Sequence, residues 1–569
     1  MQNAAVAAAF DEIGDLMELA GENSFKTRAY RRAAEAVAGY NGAIEDAAEA
    51  GTLRDIDGLG EATSEKVREF LATGTMRYLE RLREEYPASL LELMRVPGLG
   101  PKKVAQLYGE RKIDSIEALV KALDNDELKG LSGFGPKTVD NIRRGLERVS
   151  QLTTRLPIGD AFAVADGVKK VLQGSVAVAR VELAGSLRRG CDTVGNLDFA
   201  VETEAAPAVI AEFTTGPLVL KVVEQSETGA TINIRPGIEA RICCATPAEF
   251  GSVFFHLTGS AAHVEQARER ATARGLTLQS NGLFRGEERI VCEEESALYA
   301  ALSVPYIEPE LREAESVWEA AEQGKLPKLI VNSDIRGDLH THSTWSDGTV
   351  TIRQMAEAMQ ARGYSYFAVT DHSKALAMAN GLNAERLRQQ AIEIAEVQAD
   401  FPDLRILRGI ECDIMRDGTM DLDDDILHEL DFVIGSVHSG FNLDEATQTA
   451  RMVRAIMHPA VKLIAHPTGR ILGARPSYDV NVKALIEAAN ESGTALEINS
   501  TQRLDFNDKN AQAAREAGVL LCIDSDAHSP RHLPNVELGV LSARRAGCEA
   551  GDVLNTKTTE ELVAWLKRS

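Results

Sequence analysis

The histidines of this sequence gather in its second half: of 11, the first is His256, and nine lie beyond residue 334. In the stretch DIRGDLHTHSTWSDG, His340 and His342 stand two residues apart. On a strand that spacing puts both imidazoles on one face, and Asp347 comes in the next loop. Two imidazoles and a carboxylate are donors for a divalent metal. Two buried structural histidines sharing a face would give the same pair, so the rest of the chain has to decide. Short apolar runs recur, each ending in a potential ligand: YFAVTDH at His372, LRILRGIE at Glu411, LDFVIGSVH at His438, VKLIAHP at His466, and LLCIDSDAH at Asp526 and His528. Random histidines would not keep to such places. Six of the nine late ones do, which leaves His428, His458 and His532 as surface or supporting residues. The seven cysteines are odd in number and contain no CxxC pair, which fits reduced thiols and leaves metal binding to His and carboxylates.

A second candidate is GSLRRGCDTVGNLDF, Gly185 to Phe199. A glycine and a small hydroxyl residue let a backbone approach phosphates closely, and the two arginines after them are suited to bidentate contacts with phosphate oxygens. A third candidate is a loose repeat in the first third: LRDIDGLGEATSEKVREFL, LMRVPGLGPKKVAQLY and LKGLSGFGPKTVDNI. Each copy has an apolar approach, a Gly-x-Gly turn (Gly58 and Gly60, Gly98 and Gly100, Gly133 and Gly135) and an amphipathic run. The glycines bring the turn close to a phosphate, and the first amides of the next helix point at it. Lys102, Lys103 and Lys137 add charge. Glycines that merely end helices in a bundle would explain one copy; three copies in one register point to DNA-backbone binding, which grips without reading sequence.

The elements that must position these residues are set by the same patterns. Between the ligand-ending runs lie amphipathic stretches such as TIRQMAEAMQARG and DVNVKALIEAANESG. That βα alternation, with chemistry at strand ends, predicts a TIM-like barrel. The runs VARVELAG, NLDFAVE, TINIRP and IEARICC predict the strands of an α/β domain around Gly185. A chain of 569 residues is too long for one core and implies three or four domains. The net charge of −24 argues against charge-driven nonspecific nucleic-acid binding by the whole chain. Between Arg95 and Arg148, however, basic residues outnumber acidic ones 11 to 8, room for a local DNA footprint. No apolar run approaches the roughly 20 residues of a membrane span, and Ala4–Phe10 lacks the basic residues of a signal peptide, so a cytoplasmic location and no membrane partner are expected.

The motifs also carry a resemblance. Phe25–Leu79, with GLGEATSEKVREFLATG, resembles the N-terminal lyase domain of family X DNA polymerases. The resemblance implies that Lys66 forms a Schiff base with the sugar left by base excision, and that Lys26 and Tyr30 belong to a 5′-phosphate pocket. Gly185, Ser186 and Arg189 are similar to the family's nucleotide-phosphate motif, and HLTGS (His256–Ser260) to its nucleotide-sugar segment, with Thr258 and Gly259 as contacts. His256 and Leu257 replace the family's aromatic pair. Where the family has three aspartates for two Mg²⁺ or Mn²⁺ ions, the match gives Asn196, Asp198 and Glu239. Two ions roughly 3.5–4 Å apart need that negative charge, so the expectation is polymerisation that is weak and favours Mn²⁺, or none. Asp192 and Glu202 are the other carboxylates nearby, and neither has the alternating-strand spacing from Asp198 that a substitute needs.

Residues 334–569 resemble the PHP (polymerase and histidinol phosphatase) domain, whose nine ligand positions are filled by His340, His342, Asp347, His372, Glu411, His438, His466, Asp526 and His528. The resemblance implies three metals. His340, His342, Glu411 and Asp526 hold one; Glu411, His438 and His466 the second; Asp347, His372 and His528 the third. Such donors suit Zn²⁺, Mn²⁺ or Fe²⁺, which activate water for attack at phosphorus. A structural zinc needs four ligands, so nine argue for catalysis. The linker PYIEPELREAESVWEAAEQGKLPKLI is typical of bacterial family X polymerases with a PHP domain. The expected architecture is multidomain: a lyase-like helical domain with the first helix-hairpin-helix (1–82), a helical DNA-gripping domain with two further hairpins (83–151), an α/β nucleotidyltransferase palm (152–255), a thumb (256–318), a linker (319–333) and a (β/α)7 PHP barrel (334–569). The expected function is DNA repair on gapped, nicked or 3′-ended DNA, with deoxynucleoside triphosphates as second partner and a metal-dependent 3′-5′ exonuclease or phosphoesterase. The alternative is a DNA-end-binding scaffold with a phosphatase for small molecules. Oligomeric state is left open.

Overall fold

The computed structural model describes the chain except residues 1, 2, 23, 41, 42, 57, 88, 95, 97, 154, 236, 568 and 569, together with some side chains inside helices, that of Lys137 among them. It forms two compact units, Met1–Thr153 and Thr154–Ser569. Among the described residues no helix is long and apolar enough to cross a membrane.

The first unit is helical, and its three hairpins share one backbone geometry. Gly58, Gly98 and Gly133 have φ of 94°, 92° and 83°, the left-handed region that an L side chain resists. At Gly58 an added Cβ would also come within 2.9 Å of the Ala36 Cβ. The second glycine of each turn precedes a helix: Gly60 caps Glu61–Thr73, Gly100 caps Pro101–Arg111, and Gly135 leads into Pro136–Thr153. Proline at the first helical position of the last two costs nothing, since that N–H has no intrahelical partner. Lys102 is exposed beside its hairpin, whereas Lys103 turns back to donate to the Gly98 carbonyl at 2.9 Å. The helix Pro136–Thr153 runs across the expected border at 151, and Pro247–Thr258 and Val317–Glu322 likewise span those at 255 and 318.

In the second unit, a five-stranded sheet is ordered Arg180–Leu183, Asn196–Glu202, Ile238–Ala245, Gly229–Arg235, Lys221–Gln225. Its central pair is parallel with Asn196 opposite Glu239 and Asp198 opposite Arg241. The edge strand Lys221–Gln225, exposed along its whole length, escaped the sequence pattern because it has no buried face to alternate with. The thumb supplies a three-stranded sheet over residues 277–290. It is bolted to the palm by a buried carboxylate. Glu295 accepts from Arg188 Nη2 at 2.9 Å, from the Tyr306 hydroxyl at 2.9 Å, and from the fully buried Arg312.

Seven parallel strands in chain order then close a barrel: Gly337–Thr341, Tyr366–Val369, Arg405–Asp413, Phe432–Ser436, Val461–Ile464, Ala495–Asn499 and Leu521–Asp524. A bridge between Thr341 and Ala527 joins the first strand to the last. Leu339, Ala368, Leu407, Ile434, Leu463, Ala495 and Cys522, one from each strand, cluster with Leu562 and Trp565 of the last helix. Side chains from every strand meet only inside a barrel, so this cluster is its floor and the helix Thr559–Leu566 its plug.

Burial alone would raise the Glu295 carboxyl, but Arg312 and Arg188 outweigh it and hold it at about 2. A depressed pKa means stability that is present above the ordinary 4.5 and lost as pH falls toward 2. Glu295→Gln, which strands two guanidiniums, should cost about 3–5 kcal/mol at pH 7. Urea unfolding followed by tryptophan fluorescence reads this unit alone, since Trp318, Trp345 and Trp565 all lie in it. The difference from the unmodified chain should shrink between pH 4.5 and 2.

Candidate metal centre and palm site

Parallel strands end on the same side of a barrel, and here that side gathers the late histidines. Glu411, 1 % exposed, is the hub. Its Oε2 lies 3.4 Å from His340 Nε2, 3.7 Å from His342 Nε2 and 2.8 Å from His372 Nδ1. Its Oε1 lies 3.4 Å from His438 Nε2 and 3.1 Å from His466 Nε2. Asp526 Oδ1 reaches His342 Nε2 at 3.2 Å and His340 Nε2 at 3.7 Å. On the outer side, Asp347 stands 3.5 Å from His372 Nε2 and 3.4 Å from His528 Nε2. All nine residues singled out in the sequence therefore converge. Among the described residues three donor sets fall within 4.8 Å: His342, Asp347, His372 and His528; His340, His342 and Glu411; His372, Glu411 and His438. His342 and His372 each belong to two sets, an overlap that the strand-by-strand reading did not contain.

The donors fit divalent cations on a physical test. His340 Nε2, both ring nitrogens of His342 and Glu411 Oε2 are buried without a hydrogen-bond partner. Buried polar atoms are ordinarily satisfied, and lone pairs facing one another across 3–4 Å are satisfied by a cation. The charges are balanced for it. Burial and then the neighbouring imidazoles of His528 and His372 push His342 down to about 3. His372 is driven up to about 10 because Glu411 and Asp347 overcome its burial. His438, beside Glu411 and Asp413, reaches about 9 against the same opposing burial.

A layer of residues that sequence reasoning missed holds the donors in place. Glu497 accepts from His340 Nδ1 at 2.6 Å and from the His466 backbone at 2.6 Å. Asn499 donates to Asp526 at 3.1 Å and to Glu497 at 3.1 Å. Asp371 ties Ser343, Ser346 and Gln390 beneath His372. The signal was present in ALEIN, an apolar run like the others with polar residues at alternate positions, but it ends without a histidine. Of the three remaining late histidines, His428 and His458 bond Asp424, while His532 accepts from the His528 backbone.

The palm site is built differently. Gly185 has φ of 64°, and a Cβ there would fall 2.3 Å from Asp198 Oδ2, so the carboxylate sits in the space that only glycine leaves. Asp198 Oδ1 accepts from Asn196 Nδ2 at 2.9 Å and from Arg241 Nε at 2.7 Å. Burial pushes Asp198 up, against the pull of Arg241. Arg189 donates to Glu313 at 2.7 Å and to the Thr258 carbonyl, and Gly259 lies against it. Ser186 is placed by the turn, which its carbonyl closes by accepting from Cys191. Asp192 is paired with Arg470 at 2.7 Å. Glu202, contrary to the spacing argument, does share a face with Asp198, but it pairs with Arg180 and Ala245 at the far end of its strand. In the first unit Lys66 Nζ lies 5.6 and 5.5 Å from the stacked rings of Tyr30 and Tyr78, and Lys26 is exposed beside Glu22.

Comparison with known proteins adds to this geometry. Residues 1–76 match the helix-hairpin-helix domain, 90–148 the SAM-like helix-hairpin-helix tandem, 253–313 the DNA polymerase beta thumb and 338–501 the PHP domain. The chain is 37 % identical over 564 residues to the DNA polymerase/3′-5′ exonuclease PolX of Bacillus subtilis (strain 168), covering 98 % of each. It is 32 % identical over 203 residues to a probable phosphatase of Shewanella sp. (strain MR-4), 34 % of this chain and 75 % of that protein. A probable phosphatase of Thermoanaerobacter sp. (strain X514) is 30 % identical over 234 residues, 38 % of this chain and 89 % of that protein.

Because the Glu497 carboxylate fixes the proton of His340 on Nδ1 and leaves Nε2 as donor, Glu497→Gln should weaken metal binding roughly 10- to 100-fold. Titration of the metal-free protein with Zn²⁺ or Mn²⁺ against a competing chelator measures it.

Proposed function

The chain belongs to the bacterial family X DNA polymerases that carry a C-terminal PHP domain, and from that premise we propose that it processes DNA ends in repair. The three hairpins hold the backbone of gapped, nicked or 3′-ended DNA, and the barrel removes nucleotides from the 3′ end by phosphodiester hydrolysis. The observation that carries this reading is the convergence of six imidazoles and three carboxylates, the buried Glu411 at their hub. His340, His342, Glu411 and Asp526 would hold one ion, Glu411, His438 and His466 a second, and Asp347, His372 and His528 a third. Divalent ions there supply Lewis-acid stabilisation of phosphoryl oxygens and lower the pKa of water. The chain's own part is to hold the donors rigid through Glu497, Asn499 and Asp371 and to keep His340 Nε2, the His342 ring nitrogens and Glu411 Oε2 free of protein hydrogen bonds.

The palm binds deoxynucleoside triphosphates at the Gly185–Ser186 turn and extends a primer weakly, preferring Mn²⁺ to Mg²⁺. Two charge arguments support this. Asn196 offers one neutral oxygen, and its amide nitrogen is already committed to Asp198; Arg241 then neutralises that aspartate. Asp198 and Glu239 minus Arg241 leave a net single negative charge to face two divalent ions. In the first unit Lys66, flanked by Tyr30 and Tyr78, is the lyase nucleophile, and Lys26 with the Gly58–Gly60 hairpin receives the 5′-phosphate. Borohydride should trap a covalent adduct between an abasic-site oligonucleotide and the chain, and Lys66→Ala should abolish it. The alternative is favoured by one observation, the likeness of the barrel alone to probable phosphatases. It requires hydrolysis of free phosphomonoesters in preference to a DNA 3′ end.

A gapped duplex labelled on the primer, incubated with Mn²⁺ with and without nucleotides, separates these activities. Shortening should disappear in His340→Ala and on chelation, and persist in Asp198→Ala. Extension should disappear in Asp198→Ala and in Gly185→Ala, whose methyl displaces the same carboxylate. Asn196→Asp should raise Mg²⁺-dependent extension by about tenfold or more, the equivalent of roughly 1.4 kcal/mol. Strong Mg²⁺ extension by the unmodified chain would refute the charge argument.

A further inference from the structure

In the palm, the guanidinium that follows the Gly185–Ser186 turn already holds an anion, and that anion belongs to the chain. Arg189 Nε donates to Glu313 Oε1 at 2.7 Å. Its Nη1 donates to the Thr258 carbonyl, so the head group is pinned between the turn, the segment His256–Ser260 and Glu313. Its Nη2 donates to no described residue and is not shut off from solvent. The pair is open to incoming molecules: 14 % of the Arg189 side chain and 40 % of the Glu313 side chain are exposed.

Glu313 is delivered there by a fixed piece of chain. Its neighbour Arg312 is buried, donates to the Ile307 carbonyl at 3.0 and 2.8 Å and to Glu295, and accepts at its own carbonyl from Ser260 Oγ at 2.7 Å. The Glu313 backbone is therefore held, while its half-exposed side chain has solvent to rotate into. The turn is gripped from the barrel side as well. Arg545, the last residue of the helix Val536–Arg545, donates to the Arg189 carbonyl at 2.9 Å and to Cys191 Sγ at 3.5 Å. The Cys191 thiol donates in turn to the same Glu313 oxygen at 3.5 Å. Burial raises the Glu313 carboxyl, but Arg189 and Arg545 bring it below the ordinary range, which leaves it ionised at neutral pH. Carboxylate and phosphate oxygens are interchangeable acceptors for a guanidinium. A triphosphate that enters beside Gly185 and Ser186 thus meets Arg189 with an acceptor in place, and a carboxylate that stayed there would repel it.

We propose that Glu313 is a built-in competitor of the nucleotide: its carboxylate occupies Arg189 in the empty palm, the triphosphate displaces it by rotation of the side chain, and the exchange sets how tightly nucleotides bind. This rests on the reading of the Gly185–Ser186 turn as the nucleotide site.

The test is calorimetric titration of the full chain with deoxythymidine triphosphate, with Ca²⁺ and without DNA, for Glu313→Gln, Glu313→Ala, Arg189→Ala and the double variant Arg189→Ala/Glu313→Gln. Glu313→Gln and Glu313→Ala should bind the nucleotide roughly three- to tenfold more tightly than the unmodified chain, a gain that a misfolded variant does not produce. Arg189→Ala should bind it more weakly, and adding Glu313→Gln to Arg189→Ala should bring no gain. If Arg189→Ala weakens binding but neither Glu313 variant strengthens it, the nucleotide site stands and the competitor falls. An equal gain in the Arg189→Ala background also overturns the proposal, since the carboxylate would then act on the nucleotide without the guanidinium. If neither the unmodified chain nor Glu313→Gln binds the triphosphate, the reading of the palm fails and the proposal fails with it.

Discussion

A carboxylate buried among imidazoles is the interaction on which the barrel's chemistry depends. Glu411 is almost without solvent contact, and each of its oxygens faces at least two ring nitrogens. An isolated buried carboxylate would take up a proton; here the imidazoles hold its pKa well below the ordinary range against the effect of burial. The strands bearing those imidazoles must therefore end within a few ångströms of one another, and a closed parallel barrel is the arrangement that brings six strand ends to one point. The floor of apolar side chains below and the hydrogen-bonded Glu497, Asn499 and Asp371 around it serve that convergence.

The palm shows the same physics with less charge. Its parallel strand pair sets Asn196 beside Glu239, and the glycine at 185 leaves room for Asp198. The difference lies in what pairs with it. An amide and an arginine satisfy Asp198 within the protein, whereas in the barrel His340 Nε2, both ring nitrogens of His342 and Glu411 Oε2 are buried without a protein hydrogen bond. A site whose carboxylate is already paired with an arginine must break that pairing before it binds a cation.

The two sites are also joined by residues distant in sequence but directly bonded within one unit. Arg545, anchored by Asp508, donates to the Arg189 carbonyl in the turn that follows Gly185. Arg470 pairs with Asp192 of that turn and holds the loop that carries Arg503.

Much of this was determined by the sequence alone. Strand periodicity with a ligand at each end marks the barrel and its nine donors, because alternation on a strand and the position of a loop are local properties. The three hairpins were legible for the same reason: a left-handed turn demands glycine wherever it occurs. The tertiary structure decided what depends on distance between separated segments. It showed that His342 and His372 each stand between two donor sets, that Glu497 fixes a histidine 157 residues away, and that Arg241 occupies the aspartate opposite it. It also showed that Arg503 Nη1 is buried without a hydrogen-bond partner among the described residues. No spacing rule reveals such facts, because whether a charged side chain is satisfied depends on every segment that packs against it.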